Sequence, residues 1–291
     1  MPTDAALEEL FNQHQPPPDR DSDVPTDGEL ALEDLQTAVV GERPEIDDTP
    51  EVVFELPRGL LHEGVWHTEV EVRELTGRDE EQLSKAKNGL GLYEGVLARG
   101  VVRIGKVDFS ELPISARSKM LAELLLGERQ LIALRVLVAT FGNQRTLTTT
   151  CPACGEEWEA DLHLTEDFPF VVPEGADQFT HTFTTRRGNK ITYRMAIGAD
   201  EDAIAGSGKK VTLSEQNSIM LGRIITHFNE EQLLGSEATD IALDMSIPDR
   251  RAFIAHVGER QPYVDYDLRL TCQACDTEFA VPASWEGLFR L

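Results

Sequence analysis

No apolar run in this chain approaches the roughly 18 residues that a membrane-spanning helix needs. The first ten residues lack both a basic stretch and an apolar stretch, so no secretory signal is read there. Lysine is scarce, at positions 85, 87, 106, 119, 190, 209 and 210. Cysteine occurs four times, and those four form two Cys-x-x-Cys pairs. A disulfide scaffold needs an oxidising compartment and denser cysteine, so four metal-poised thiols point to an intracellular protein. Signatures of catalysis are missing as well: no HExxH, no Ser-His-Asp order and no paired-carboxylate pattern stands out. Gly206-Ser-Gly208-Lys-Lys210 lacks the GxxxxGK[ST] spacing of a phosphate loop. The expectation is a protein without catalytic residues or a small-molecule substrate.

Acid is abundant. Across 291 residues the formal charge is −25, and 41% of the residues are hydrophobic, enough for a sizeable core. The first fifty residues hold 14 acids against two arginines, a net −12 that leaves −13 for the rest. Such a surface repels phosphate backbones, which bind through Lys and Arg, so nucleic acid is an unfavoured partner. Residues 1–50 read as an acidic, largely extended tail containing Pro16-Pro17-Pro18. Within it, Leu7, Leu10 and Phe11, and then Leu32, Leu35 and Val39, have helical i, i+3 or i+4 spacing. Either the tail is solvated, or its two short amphipathic helices dock into partner grooves.

Cys151-Pro-Ala-Cys154-Gly155 and Cys272-Gln-Ala-Cys275-Asp276 each follow a Thr- and Leu-containing stretch and precede an aromatic residue, Trp158 or Phe279. A Cys-x-x-Cys turn aims two thiolates at one point, and two such turns supply the tetrahedral sulfur set that zinc prefers. Gly155 and Asp276 both tolerate the positive φ that closes such a turn. The second pair lies 121 residues after the first, and that offset recurs: Gly77 falls on Gly198, Asp79 on Asp200, Glu80 on Glu201, Glu128-Arg129 on Asp249-Arg250 and Leu147 on Leu268. The pattern reads as an internal duplication, 52–163 and 168–285. Each repeat would contain strands, a helical middle and a terminal zinc-knuckle β-ribbon, an α+β fold. Paired about a pseudo-two-fold axis, the repeats would form one structural Zn²⁺ site from Cys151, Cys154, Cys272 and Cys275. Two buried thiol pairs or redox-active dithiols are the alternatives, and ligation across two chains is open. His163, nine residues past Cys154, has Ser284 as its counterpart and reads as surface; His62 and His67 read as ordinary strand or loop residues.

Local patterns predict the elements. Trp66, Thr68, Val70 and Val72 share one parity and would line the buried face of a strand. Thr76 is an N-cap candidate with acids in the turn behind it. Leu92, Val96, Ala98, Val101 and Val102 suggest a helix. Another starts at Pro113, carries Met120, Leu121, Leu124 and Leu125, and is broken by Gly127-Glu-Arg129; the next ends near Gly142. In the second repeat a hairpin turns at Arg186-Arg-Gly188-Asn189, a helix over Ser214 to Ile225 follows, and Pro248-Asp-Arg250 leads another. Glu128-Arg129 and Asp249-Arg250 are expected to brace the core or an interface.

Four runs together, Phe54-Glu-Leu-Pro-Arg-Gly59, Val70-Glu-Val-Arg-Glu-Leu-Thr-Gly77-Arg-Asp-Glu-Glu81, Leu124-Leu-Leu-Gly-Glu-Arg129 and Cys151-Pro-Ala-Cys154-Gly155, carry a family likeness. They resemble baseplate hub and hub-assembly proteins of contractile-tailed, T-even type bacteriophages and of related contractile injection systems. The resemblance implies a non-enzymatic structural or assembly protein that connects hub and wedge proteins, with other baseplate and tail proteins as partners. It would be found in the host cytoplasm during assembly and in the virion tail baseplate. The competing expectation is an intracellular zinc-ribbon adaptor in transcription or RNA processing, which would present a basic face.

Overall fold

A β-hairpin opens the described part of the chain. The computed structural model describes residues 52–176, 178–205, 211–283 and 285–290. Residues 1–50, with the two helical sequence patterns, and residues 206–210 lie outside them. In the hairpin, β1 (Val52–His62) pairs antiparallel with β2 (Val65–Val72), and β1 bulges between Glu55 and Leu60. Val70 and Val72 are buried, as their parity predicts, but Trp66 is 47% exposed. The inward face of β2 therefore begins later than alternation suggests. Trp66 instead stacks under the Arg58 guanidinium, which lies 4.7 Å from its ring and 4.0 Å from that of Phe179.

Thr76 starts α1 (Gly77–Leu83) as expected, and Asp79 accepts hydrogen bonds from the Thr76 amide and hydroxyl, both at 2.9 Å. After α2 (Gly89–Gly100) come β3 (Val101–Ile104) and β4 (Val107–Asp108), which complete a sheet in the order β1-β2-β3-β4. Val101 and Val102 are thus strand residues and not the end of a helix. Their branched side chains suit a pleated surface, and Val101 pairs with Val72. The next helices are α3 (Ile114–Leu121) and α4 (Leu126–Phe141). The break between them is at 122–125, ahead of the position read from glycine. Gly127-Glu-Arg129 forms the first turn of α4, where a side chain on Gly127 would place its Cβ 1.9 Å from the Pro262 carbonyl oxygen. A ribbon of β5 (Gln144–Thr150) and β6 (Glu157–His163) follows, then α5 (Leu164–Asp167) and β7 (Phe170–Val171).

The second half runs through similar elements. β8 (Thr180–Thr184) and β9 (Lys190–Arg194) flank the expected turn; α6 (Gly198–Ala205) and α7 (Leu213–Ile224) follow. Then come β10 (Ile225–Phe228), β11 (Glu231–Gln232), α8 (Glu237–Asp244) and α9 (Ile247–Gly258). Ile225 opens a strand, so the predicted helix stops one residue earlier. The sheet order is β8-β9-β10-β11, the same antiparallel succession as in the first half. β12 (Tyr263–Val264) pairs with β7, and a ribbon of β13 (Asp267–Thr271) and β14 (Glu278–Pro282) leads to α10 (Trp285–Arg290). The mixed α+β class expected from the pattern holds, with ten helices and several small sheets among the described residues. The short strands β3, β4, β10 and β11 were invisible to periodicity because two to four residues carry none.

Two large hydrophobic clusters organise the interior, beside a small one of Leu125, Ala176 and Met195. The larger surrounds α4 and unites first-half residues such as Val70, Phe109 and Ile132 with Val264, Leu268, Trp285 and Leu288 from the end of the chain. A second cluster joins Ile191, Tyr193, Leu221, Ile224 and Phe253. The C-terminal ribbon and α10 are consequently packed onto the first half. This brings the two Cys-x-x-Cys turns to one place. No described helix is long and apolar enough to cross a membrane.

Candidate metal centre

Both cysteine turns are closed by the same backbone bonds. In the first ribbon the Cys151 amide donates to the Glu156 carbonyl (2.8 Å) and the Gly155 amide donates to the Cys151 carbonyl (3.0 Å). In the second, the Cys272 amide donates to Thr277 (3.0 Å) and the Asp276 amide to Cys272 (2.9 Å). Gly155 has φ +77° and Asp276 φ +54°, the left-handed conformation that glycine adopts freely and Asp tolerates. Each turn thereby directs two sulfurs past its tip.

The four sulfurs converge. Cys151 Sγ lies 3.7 Å from Cys275 Sγ, and Cys154 Sγ lies 3.7 Å from Cys272 Sγ. All four ligand atoms are within 4.8 Å of one another. These separations exclude disulfides, whose sulfurs sit about 2.05 Å apart, and all four cysteines are free thiols. They fit a metal: sulfurs each about 2.3 Å from a tetrahedral centre stand about 3.8 Å from one another. Cys151 and Cys272 are buried, whereas Cys154 and Cys275 reach the surface. The contacts cross from ribbon to ribbon, with the first cysteine of each turn against the second of the other. Trp158 and Phe279, 121 residues apart, meet edge to face at 5.9 Å nearby.

The charge balance also suits a cation. The Thr277 hydroxyl, 3.2 Å from Cys275 Sγ, and the Thr277 amide hold the Cys275 thiol down at about 6. For Cys154 the Glu156 amide favours the thiolate, but the neighbouring sulfurs, Cys275 foremost, outweigh it and hold the thiol up at about 12. Crowded sulfurs cannot all ionise without a positive charge among them. Thr277 was not singled out in the sequence, and its position two residues after Cys275 was the only available signal.

The histidines remain apart from this cluster. His163 is exposed, and its amide donates to Asp167 at 2.7 Å. Among the described residues, the four cysteines are the one group of three or more ligand-type side chains gathered closely enough to hold a metal ion. Glu128 and Arg129 are both fully buried, as a bracing role requires. Glu128 accepts from the amides of Arg58 (2.6 Å), Gly59 (2.7 Å) and Leu125 (3.1 Å). Arg129 pairs with Glu94 and, at 3.5 Å, with Glu201; Glu94 had carried no sequence signal.

Comparison with known proteins places the whole described body. No curated protein and no solved structure matches the chain significantly. A family model described as T4 bacteriophage base plate protein matches residues 49–289, a span that includes both four-stranded sheets and all four cysteines. With most of its length accounted for by that match, the chain belongs to the T4 bacteriophage base plate protein family.

Proposed function

We propose that this protein is a non-enzymatic structural or assembly component of a contractile phage tail baseplate, or of a related injection machine, and that it connects hub and wedge proteins. The family match over residues 49–289 carries the reading. Its partners are other baseplate and tail proteins, met in the host cytoplasm during assembly and held in the virion tail.

The body is built from two tandem repeats, 52–163 and 168–285. In support, the two four-stranded sheets have one strand order, the ribbons share turn geometry, and Arg73–Asp79 and Arg194–Asp200 are equivalent ion pairs 121 residues apart. Cys151, Cys154, Cys272 and Cys275 hold one Zn²⁺. A closed set of four thiolates has no open coordination position, so the ion is structural. It staples the last ribbon of one repeat to that of the other and makes the connector rigid.

The test of the placement is a non-permissive mutation in the gene, followed by electron microscopy of lysates and mass spectrometry of purified particles and assembly intermediates. Tailless or baseplate-defective particles, with the protein present in wild-type baseplates or their precursors, are expected. Normal baseplates without the protein, or its absence from both particles and intermediates, would overturn the reading. For the site, one zinc per chain on a monomeric preparation is expected from elemental analysis; zinc bound only between two chains would sink the intramolecular staple.

A further inference from the structure

The entry to α6 in the second half is covered by the first half. Leu125 and Ile197 form an antiparallel bridge. The Gly198 amide donates to the Leu124 carbonyl (3.0 Å), the Ala199 amide to Ala122 (2.8 Å) and the Leu126 amide to Ala196 (3.3 Å). Arg129, with no exposed side-chain surface, reaches from the same segment to Glu201 at 3.5 Å and Asp202 at 3.9 Å. Segment 122–129 is therefore a donor surface seated on an acceptor surface, 196–202.

Moved by 121 residues, the donor becomes 243–250 and the acceptor 75–81. Both stand open. In the donor, Leu243 is 56% exposed and Ile247, at the position equivalent to Leu126, is 69% exposed. In the acceptor, Thr76, Gly77 and Glu80 are exposed where Gly198 is buried and Ile197 and Glu201 are partly covered. Beside them lies an apolar groove of about 670 Å³, whose lining includes Leu75, Leu83, Leu92, Phe141 and Phe289.

Charge completes the match. Arg250 takes the place of Arg129. Its Nη2 donates to the Ser218 hydroxyl and to the Ser214 carbonyl oxygen, both at 2.7 Å, and among the described residues it meets no carboxylate. Glu80 and Glu81, equivalent to Glu201 and Asp202, are exposed and form no ion pair among the described residues. A cation that lacks its acids and acids that lack their cation stand on two separate surfaces of one chain. Since both surfaces are open at once among the described residues, the contact is assigned to a second chain.

We propose that a second copy of this chain fills the groove, with 243–250 of one copy on 75–81 of the next. Ile247 then takes the apolar position that Leu126 occupies inside the chain, and Arg250 meets Glu80 and Glu81. Donor and acceptor are different surfaces, so the contact is head-to-tail and builds a ring or an open row. The inference rests on the equivalence of the two repeats. It does not depend on the baseplate placement or on zinc.

Sedimentation velocity of the full chain at low salt, from about 1 µM to about 1 mM, spans the range of weak specific interfaces. The mass is expected to rise from 32.3 kDa in whole multiples, and added salt should reverse the rise. Ile247→Glu disables the donor, and Glu80→Lys with Glu81→Lys disables the acceptor. Each variant alone should need at least about tenfold more protein to assemble. Mixed one to one, they should stop at a dimer, because one supplies only an acceptor and the other only a donor. Thermal melts of each variant establish that it is folded. A full chain that is monomeric throughout, assembly unchanged in both folded variants, or a mixture that stays monomeric would overturn the proposal.

Discussion

The entries to α1 and α6 are made from the same parts in different surroundings. Arg73 pairs with Asp79 at 2.9 Å, and Arg194 pairs with Asp200 at 2.6 Å. Asp79 accepts the Thr76 amide, and Asp200 accepts the Ile197 amide at 3.0 Å. The second entry is nevertheless closed over: Arg129 lies against Gly198, and the second arginine on the acid is closer, Arg223 at 2.8 Å from Asp200 against Arg99 at 4.0 Å from Asp79. A Cβ on Gly198 would come within 2.1 Å of Arg129 Nη1, whereas one on Gly77 would meet nothing within 4 Å. Short-range spacing produces the cap and its ion pair. What those groups weigh in stability depends on which distant segment lands on them.

The largest test of this comparison removes what joins the two ribbons. On the zinc reading proposed above, a chelator, or Cys272→Ser, is expected to lower stability by up to the order of 10 kcal/mol, the scale of structural zinc sites. Calorimetry with and without chelator would read the loss; unchanged melting would mean that packing alone holds the ribbons together. Arg129→Ala should cost about 3–5 kcal/mol, since it deletes a fully buried cation and leaves the partly buried Glu94, Glu201 and Asp202 unpaired. Arg250→Ala should cost only about 1 kcal/mol, because its hydrogen bonds go to neutral acceptors. Urea titrations of the two variants under monomeric conditions would compare them, and equal losses would erase the distinction between closed and open entries.

A smaller pair of substitutions probes the same surfaces through volume alone. Gly198→Ala should cost about 1–3 kcal/mol by overpacking against Arg129, while Gly77→Ala should stay within about 0.5 kcal/mol of wild type. Thermal melts decide this; a Gly198→Ala protein as stable as Gly77→Ala would mean that Arg129 yields without loss.

The pH dependence should be the smallest effect and has two signs. Burial raises the Asp79 and Asp200 carboxyls, but their arginine partners and amide donors outweigh it, so both lie below their ordinary value of 3.8. The stability they contribute is present above that value and is lost as pH falls through the lower folded one. Glu128 behaves oppositely. Burial dominates over its three amide donors and raises it above 4.5, so its contribution weakens as pH rises from 4.5 through the folded value. Stability measured from pH 3 to 7 should therefore be flatter at its upper end in Glu128→Gln and flatter at its lower end in Asp200→Asn. Identical profiles would contradict both assignments.

Several features could be read without coordinates because their causes are local. Thr76 with Asp79 three residues on is a helix start, Pro248 marks the first turn of α9, and the cysteine spacing with Gly155 or Asp276 behind it makes a sulfur-bearing turn. Where the reading failed, a distant partner had decided. Trp66 follows the parity of a buried strand face, yet packing leaves it half exposed under Arg58. Val101, Val102 and Ile225 extend a helical pattern, but pairing with β2 or β9 draws them into sheets. Gly127 looked like a helix breaker, and its smallness serves a close approach to Pro262 inside α4.

Residue type and spacing alone carried the mixed class, the types of turn, the two cysteine pairs and the 121-residue echo between the halves. These follow from residue type and spacing, which act over one or two turns of chain. Packing between distant segments settled the rest: the two ribbons meet, Arg129 is buried among acids from both halves, and one helix entry is closed while its equivalent stays open. Those outcomes depend on which segments, more than 70 residues apart in the case of Arg129 and Glu201, exclude water from each other. No local pattern encodes that choice.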